Sequence, residues 1–175
     1  MSFTLALAAA FASLTFSSPI RAPSIPDTTS FTITGDVEAV LDDATSFVSE
    51  ITRLNIWKLT LRSPRTYKEE KGHDIIVSLF FSRKFEPEPG TYPIQFSYLN
   101  AENVMGGSVV VLGEEREMYS NDTEGEVTFD VFGDRITGSF HFVSNNGSDD
   151  DRREVSVEGT FDCDRGKALN VEVAE

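Results

Sequence analysis

The chain has 175 residues, and 15 Lys and Arg stand against 29 Asp and Glu, for a net charge of −14. That length holds one domain's worth of core. Its charge repels phosphate backbones and anionic lipid surfaces, which speaks against charge-driven binding to nucleic acid or membranes and favours cations and basic partners. The single cysteine, Cys163, leaves no intramolecular disulfide and no zinc spacing. Its place between Asp162 and Asp164 disfavours a thiolate.

Met1 to Phe16 carries no charged side chain, and Leu5 to Leu14 (LALAAAFASL) has the length of a signal-peptide apolar core. Ala10-Phe11-Ala12 supplies a small-x-small cleavage pattern, and a second end falls at Ala22, just before Pro23. No Lys or Arg precedes the apolar run, so only the α-amino group charges its start. The run is shorter than the ~20 residues of a membrane span. No cysteine follows it for lipid attachment. Residues 1–22 are therefore expected to be a signal peptide, 23–30 a flexible Ser-, Pro- and Thr-rich leader, and 31–175 a single β domain, secreted or periplasmic.

From Phe31 onward apolar residues recur with period two, the signature of half-buried strands. Phe31, Ile33, Val37, Ala39 and Leu41 form the first face, and Asp42-Asp43-Ala44 reads as a turn. Phe47 to Leu61 is a long strand-like stretch with Trp57, Leu59 and Leu61 on one face and a bulge or two-sided strand near Asn55. Ser63 to Gly72 is a charged connection. Ile75 to Phe81 is apolar throughout, as a central strand is. Glu86-Pro87-Glu88-Pro89-Gly90 makes a stiff turn into Tyr92, Ile94, Phe96 and Tyr98, and Pro93 favours an edge position or a strand start. Gly106-Gly107 opens Ser108 to Leu112. Val127, Phe129 and Val131, then Ile136, Gly138, Phe140 and Phe142, then Val155, Val157, Gly159 and Phe161 form the closing faces. Leu169, Val171 and Val173 add a short last strand. No convincing helix of ten residues follows residue 30. The pattern predicts an all-β antiparallel sandwich or closed barrel of about eight or nine strands, mostly in meander connections.

Gly138 (ITGSFHF) and Gly159 (VEGTFD) hold equivalent places in neighbouring strands, where a sheet bend or a groove is expected. Together with Pro89-Gly90-Thr91-Tyr92 (PGTY), this closing hairpin resembles small bacterial secreted or lipoprotein-like β-domains of unknown function, over roughly residues 31–163. The resemblance implies a fold and an exported location, and no activity. The acylated cysteine of the lipoprotein members is absent.

Candidate chemistry is sparse. His141 takes the parity opposite Phe140 and Phe142 and so faces solvent, while His73 follows Gly72 in a turn. Neither sits in a Ser-His-Asp pattern, and no GxSxG elbow exists. Acidic residues such as Asp36, Glu38, Asp130 and Glu158 fall on outward strand positions. The loop Asn145 to Asp151 supplies hard oxygen ligands, which makes Asp149, Asp150 and Asp151 a candidate calcium site. It lacks EF-hand spacing, and Arg152 and Arg153 stand ready to neutralise it. Asn121-Asp122-Thr123 and Asn146-Gly147-Ser148 match the glycosylation triplet. Trp57, Tyr92 and Tyr98 share parity with core positions. No cofactor motif is found and no oligomeric state is indicated. The expectation is an exported, non-enzymatic β-domain with a binding or structural role. The alternatives are a lipocalin-like small-ligand carrier and an acid-pair hydrolase.

Overall fold

The structure is a computed structural model that describes residues 29–82, 86–96, 103–147, 151–165 and 169–170; the expected signal peptide, 1–22, lies outside them. The main strands are β1 (Thr29–Gly35), β2 (Ala39–Ile51), β3 (Ile56–Arg62), β4 (Asp74–Ser82), β5 (Gly90–Gln95), β6 (Gly106–Leu112), β7 (Arg116–Tyr119), β8 (Asn121–Phe132), β9 (Arg135–Asn146) and β10 (Arg153–Asp164). They form one antiparallel sheet in the order β5-β8-β9-β10-β1-β2-β3-β4-β6-β7, curled into a half-barrel. A two-residue β11 (Leu169–Asn170) adds in parallel to β2. The all-β expectation holds, with more strands than the eight or nine expected. The short β7 had no legible signal, and β1 takes in Thr29 and Ser30, ahead of the expected start at Phe31. No helix among the described residues is long and apolar enough to cross a membrane.

The curl begins in β2. Its first half pairs with β1 and its second with β3, so one 13-residue strand serves two layers. The changeover is a bulge: Thr29 stands opposite Ala44 and Phe31 opposite Leu41, which leaves Asp42 and Asp43 both exposed on the bulged side. The turn expected at Asp42-Asp43-Ala44 is therefore a bend within a strand, held because Leu41, Ala44 and Val48 all enter the core. Phe47 to Leu61 is a hairpin rather than one strand. Thr52–Leu54 forms a 3-10 turn, and Asn55 closes it at φ 55, a left-handed conformation that asparagine tolerates. Within the charged connection, Arg65–Lys71 forms one short helix, α1.

Cross-strand pairing explains the bend of the outer strands. Gly125 faces Phe142, Gly138 faces both Phe129 and Phe161, and Gly159 faces both Phe140 and Phe31. Gly138 and Gly159 are thus paired with phenylalanines and not with each other. A side-chain carbon at Gly138 would run into the Thr128 carbonyl oxygen and lie 2.7 Å from the Phe161 ring; at Gly159 it would meet the Ser30 carbonyl and lie 2.7 Å from Phe31 Cβ. The strands approach too closely for any side chain, and the neighbouring ring covers each gap. Those rings make the core. Phe129 meets Phe161 edge-on at 5.6 Å and Phe81, from the opposite layer, at 6.4 Å. One continuous cluster of buried residues fills the half-barrel from Phe31 to Cys163.

The curled ends meet. Gln95 N–H donates to the Met105 carbonyl at 2.8 Å, and Met105 N–H donates to the Pro93 carbonyl at 2.9 Å. β5 ends the strand order, in keeping with the edge position or strand start expected for Pro93. At one end of the half-barrel Arg153 of β10 donates to Glu117 (3.2 and 2.6 Å) and to the Tyr119 hydroxyl (2.9 Å) of β7, while Tyr119 itself donates to Glu117 at 2.9 Å. Hydrogen bonds from Arg153 hold the Glu117 carboxyl low against its burial. Burial first, then Glu117, pushes Tyr119 up to about 12. At the other end Arg165 lies between the rings of Trp57 and Phe132, 5.2 and 5.3 Å from their centroids, and pairs with Glu86.

The buried Asp74 anchors the return from α1. Arg62 donates to it through Nε at 2.8 Å and Ser63 through Oγ at 2.6 Å, and the Ile75 N–H donates to Ser63 Oγ at 2.9 Å. Burial pulls the Asp74 carboxyl upward, but the hydrogen bonds from Arg62 and Ser63 and the charges of Arg62 and Lys68 outweigh it and hold the group below its ordinary value.

Two outcomes follow. Gly138→Ala should lower stability by at least ~1–3 kcal/mol in urea unfolding, as overpacking does, whereas Gly133→Ala, with no atom within 4 Å of the added carbon, should be near neutral. Equal effects would contradict the close-approach account. Because Asp74 has a depressed pKa when folded, its stabilisation is complete above the unfolded carboxylate range and is lost as pH falls through the folded value. Asp74→Asn should therefore cost ~1–3 kcal/mol at neutral pH and flatten the loss of stability below about pH 4. Parallel pH curves for variant and parent would refute this.

Candidate functional site

Where β8, β9, β10 and β1 bend at their glycines, the outward side chains line an open groove of about 600 Å³. Register builds it in rows. One row crosses five strands as Thr91, Thr128, Ser139, Thr160 and Ser30. Its hydroxyls interact at both ends, Thr91 with Thr128 at 2.8 Å and Ser30 with Thr160 at 3.2 Å. The next row places Glu126, His141, Glu158 and Thr32 side by side. Asp42, turned outward by the β2 bulge, joins the rim. Each row exists because strand residues alternate, so every inward phenylalanine sets an outward polar neighbour.

The groove is wet. The His141 side chain is 62% exposed and that of Glu126 54%, with Nδ1 and Oε1 at 3.9 Å. His141 faces solvent, as its parity predicted. No hydrogen bond joins it to a groove hydroxyl among the described residues, so the base-to-nucleophile contact of a hydrolytic triad is missing. Glu126 and Glu158 stand on strands two spacings apart, roughly 10 Å, with His141 between them. None of Asp42, Glu126 and Glu158 is ion-paired to Lys or Arg among the described residues. The groove is thus a negative, hydrogen-bonding trough that suits a cationic, polar occupant.

The other residues singled out from sequence lie apart from it. His73 takes its place beside α1, with Nε2 3.3 Å from the Tyr67 hydroxyl and Nδ1 3.1 Å from the Lys71 carbonyl oxygen. Asp151 is exposed beyond β9, and Asp149 and Asp150 lie outside the described residues. Arg152 and Arg153, expected to neutralise that loop, turn elsewhere: Arg152 to Asp122 and Glu154, Arg153 to Glu117. Among the described residues no three His, Cys, Asp or Glu side chains converge on a metal position. Cys163 is buried in the core. Trp57 packs against the core beneath Arg165, and Tyr92 pins the turn before β5 by donating to the Glu88 carbonyl at 2.8 Å. Tyr98 lies outside the described residues. Phe96, expected on a buried face, is exposed, and so is Val131, which follows a bulge at Asp130. Thr123 of the first glycosylation triplet is buried against Ser144 at 2.9 Å.

Sequence reasoning placed His141 and Glu158 outward but missed Asp42 and the hydroxyl row. The row depends on register among five strands, and alternation within single strands does not contain it.

No family model, no curated protein and no solved structure matches this chain.

Millimolar calcium should leave the melting temperature unchanged. A rise of several degrees would establish Asp149–Asp151 as a cation site.

Proposed function

We propose that this chain is a non-enzymatic binding domain, working outside the cytoplasm, that takes a basic, extended polypeptide segment along the outer groove of β8, β9, β10 and β1. The observation that carries this reading is the row Glu126–His141–Glu158 with Asp42 at its rim, carboxylates without a Lys or Arg partner among the described residues, beside a five-strand ladder of hydroxyls. Lysine or arginine side chains meet the carboxylates, and the hydroxyls accept and donate to the peptide's polar groups. A site this open holds its partner by many exposed contacts, so affinity is modest and falls with salt.

Two features favour surface binding over the alternatives. The phenylalanine-packed interior offers a carrier little room, and lipocalin-type carriage needs an enclosed cavity of several hundred Å³. The groove's openness leaves its carboxylates wet, where acid-pair hydrolysis needs one of them held protonated in a cleft.

The test is titration of an Arg- and Lys-rich extended peptide and its Gln-substituted counterpart. Binding should require the basic peptide, weaken as salt is raised, and drop about tenfold or more in the Glu126→Gln, Glu158→Gln double variant. Equal binding of the neutral peptide, or an unaffected double variant, would rule the proposal out.

A further inference from the structure

The opposite layer carries a second, chemically different site. On the outer face of β4, β6 and β7, beside the end of β5, a crevice of about 210 Å³ is lined by Phe80, Gln95, Phe96, Gly107, Ser108, Met118 and Ser120. Two of its walls are large apolar side chains left in water: Phe96 is 60% exposed and Met118 47%. Its floor is small and polar at Ser108, where the strand register leaves the row Thr60–Ser78–Ser108 between bulkier neighbours.

Two cations outside the lining each touch one of its walls. Lys58 extends its ammonium over the Phe80 ring, 5.6 Å from the centroid, and the Arg116 guanidinium reaches the Met118 sulfur at 4.0 Å. Burial pulls the Lys58 pKa down, and the Arg116 charge pulls it further, so the two feel each other. In a chain with nearly twice as many acids as bases, neither has a carboxylate partner among the described residues. Six arginines do (Arg62, Arg65, Arg135, Arg152, Arg153 and Arg165), while the other described cations without one, Arg53, Lys68 and Lys71, do not touch this crevice. Two neighbouring like charges on an apolar surface are costly to leave uncompensated, and an anion between them relieves the repulsion.

We propose that this crevice binds a small monocarboxylate with a compact apolar body, its ring or branched chain between Phe80, Phe96 and Met118 and its carboxylate between Lys58 and Arg116. The volume sets the size, since drug-sized ligands need ~300 Å³ or more and one ring with a short acid arm needs less. The charge sets the head group: the carboxylate accepts hydrogen bonds from Nζ and from the guanidinium. This site lies on the other layer from the acidic groove and does not depend on the reading given to that groove.

The experiment uses 3-phenylpropionate as probe, with 3-phenylpropanol as its uncharged counterpart and acetate as the head group alone. Amide shifts in two-dimensional NMR locate the binding. Shifts should cluster at Phe80, Phe96, Ser108 and Met118, with a Kd of about 1 mM or tighter for the acid. The alcohol and acetate should each bind about tenfold more weakly or worse. Lys58→Gln with Arg116→Gln, both at outward positions, should bring the acid down to the alcohol's affinity and leave the alcohol's unchanged. Acid and alcohol binding equally would show an apolar crevice without anion recognition and overturn the proposal. So would shifts spread elsewhere, or none at about 10 mM acid.

Discussion

A glycine opposite a phenylalanine is the contact on which this molecule turns. At Gly125, Gly138 and Gly159 neighbouring strands come closer than any side chain allows, and rings from the next strand lie over the gaps. The bend moves the sheet out of a plane and carries its two halves face to face. It also delivers Phe129, Phe140, Phe142 and Phe161 to one interior, where their rings meet edge-on, tilted or stacked. Curvature and core are therefore one arrangement. A strand that did not bend would have nothing to place its phenylalanine against.

The half-barrel is finished by polar contacts at its ends. Arg153, Glu117 and Tyr119 join β10 to β7 on one side, and Arg165 joins Trp57 and Phe132 on the other. Both arginines border the same long strand, β10, so it is fastened to the opposite layer at each extremity. With the ends held and the middle packed, the surfaces left for recognition are the outer faces. These differ in kind. The face over the glycine bends is acidic and rich in hydroxyls, whereas the face over β3, β4, β6 and β7 sets Lys58 against Phe80 and Arg116 against the exposed Met118. A net charge of −14 conceals that division.

Alternation of apolar residues made most strands legible, because one face of each is buried and period two survives in the letters. The closing hairpin reads most plainly: Ile136, Phe140, Phe142, Val155, Val157 and Phe161 are all buried as their parity predicts. What failed to read were interruptions of that period. The Asp42–Asp43 bulge looks like a turn in sequence, because two exposed acids in a row are typical of loops. The hairpin at Thr52–Asn55 lacks glycine and proline, so Phe47 to Leu61 reads as continuous. β7 is four residues long and has no room to show a pattern. The candidate sites were less visible still. The groove residues Asp42, Thr128, Ser139 and Thr160 come from four strands, and only the register brings them together. Lys58 and Arg116 lie far apart in the chain, and nothing around either one names the other.

The pairing of β1 with β10 has a consequence for how the chain reaches this state. Ser30 and Thr160, whose side chains meet at 3.2 Å, are 130 residues apart. The first strand finds its outer neighbour only after the last long strand exists, and Gly159 can accept the Phe31 ring only then. Loop closure over such a separation must precede the contacts that reward it, so acquisition of structure is dominated by non-local events and is slow. During synthesis, β1 waits with one edge open while the rest of the sheet is still to come. Closure of the sheet at this seam is therefore deferred until β10 has been made.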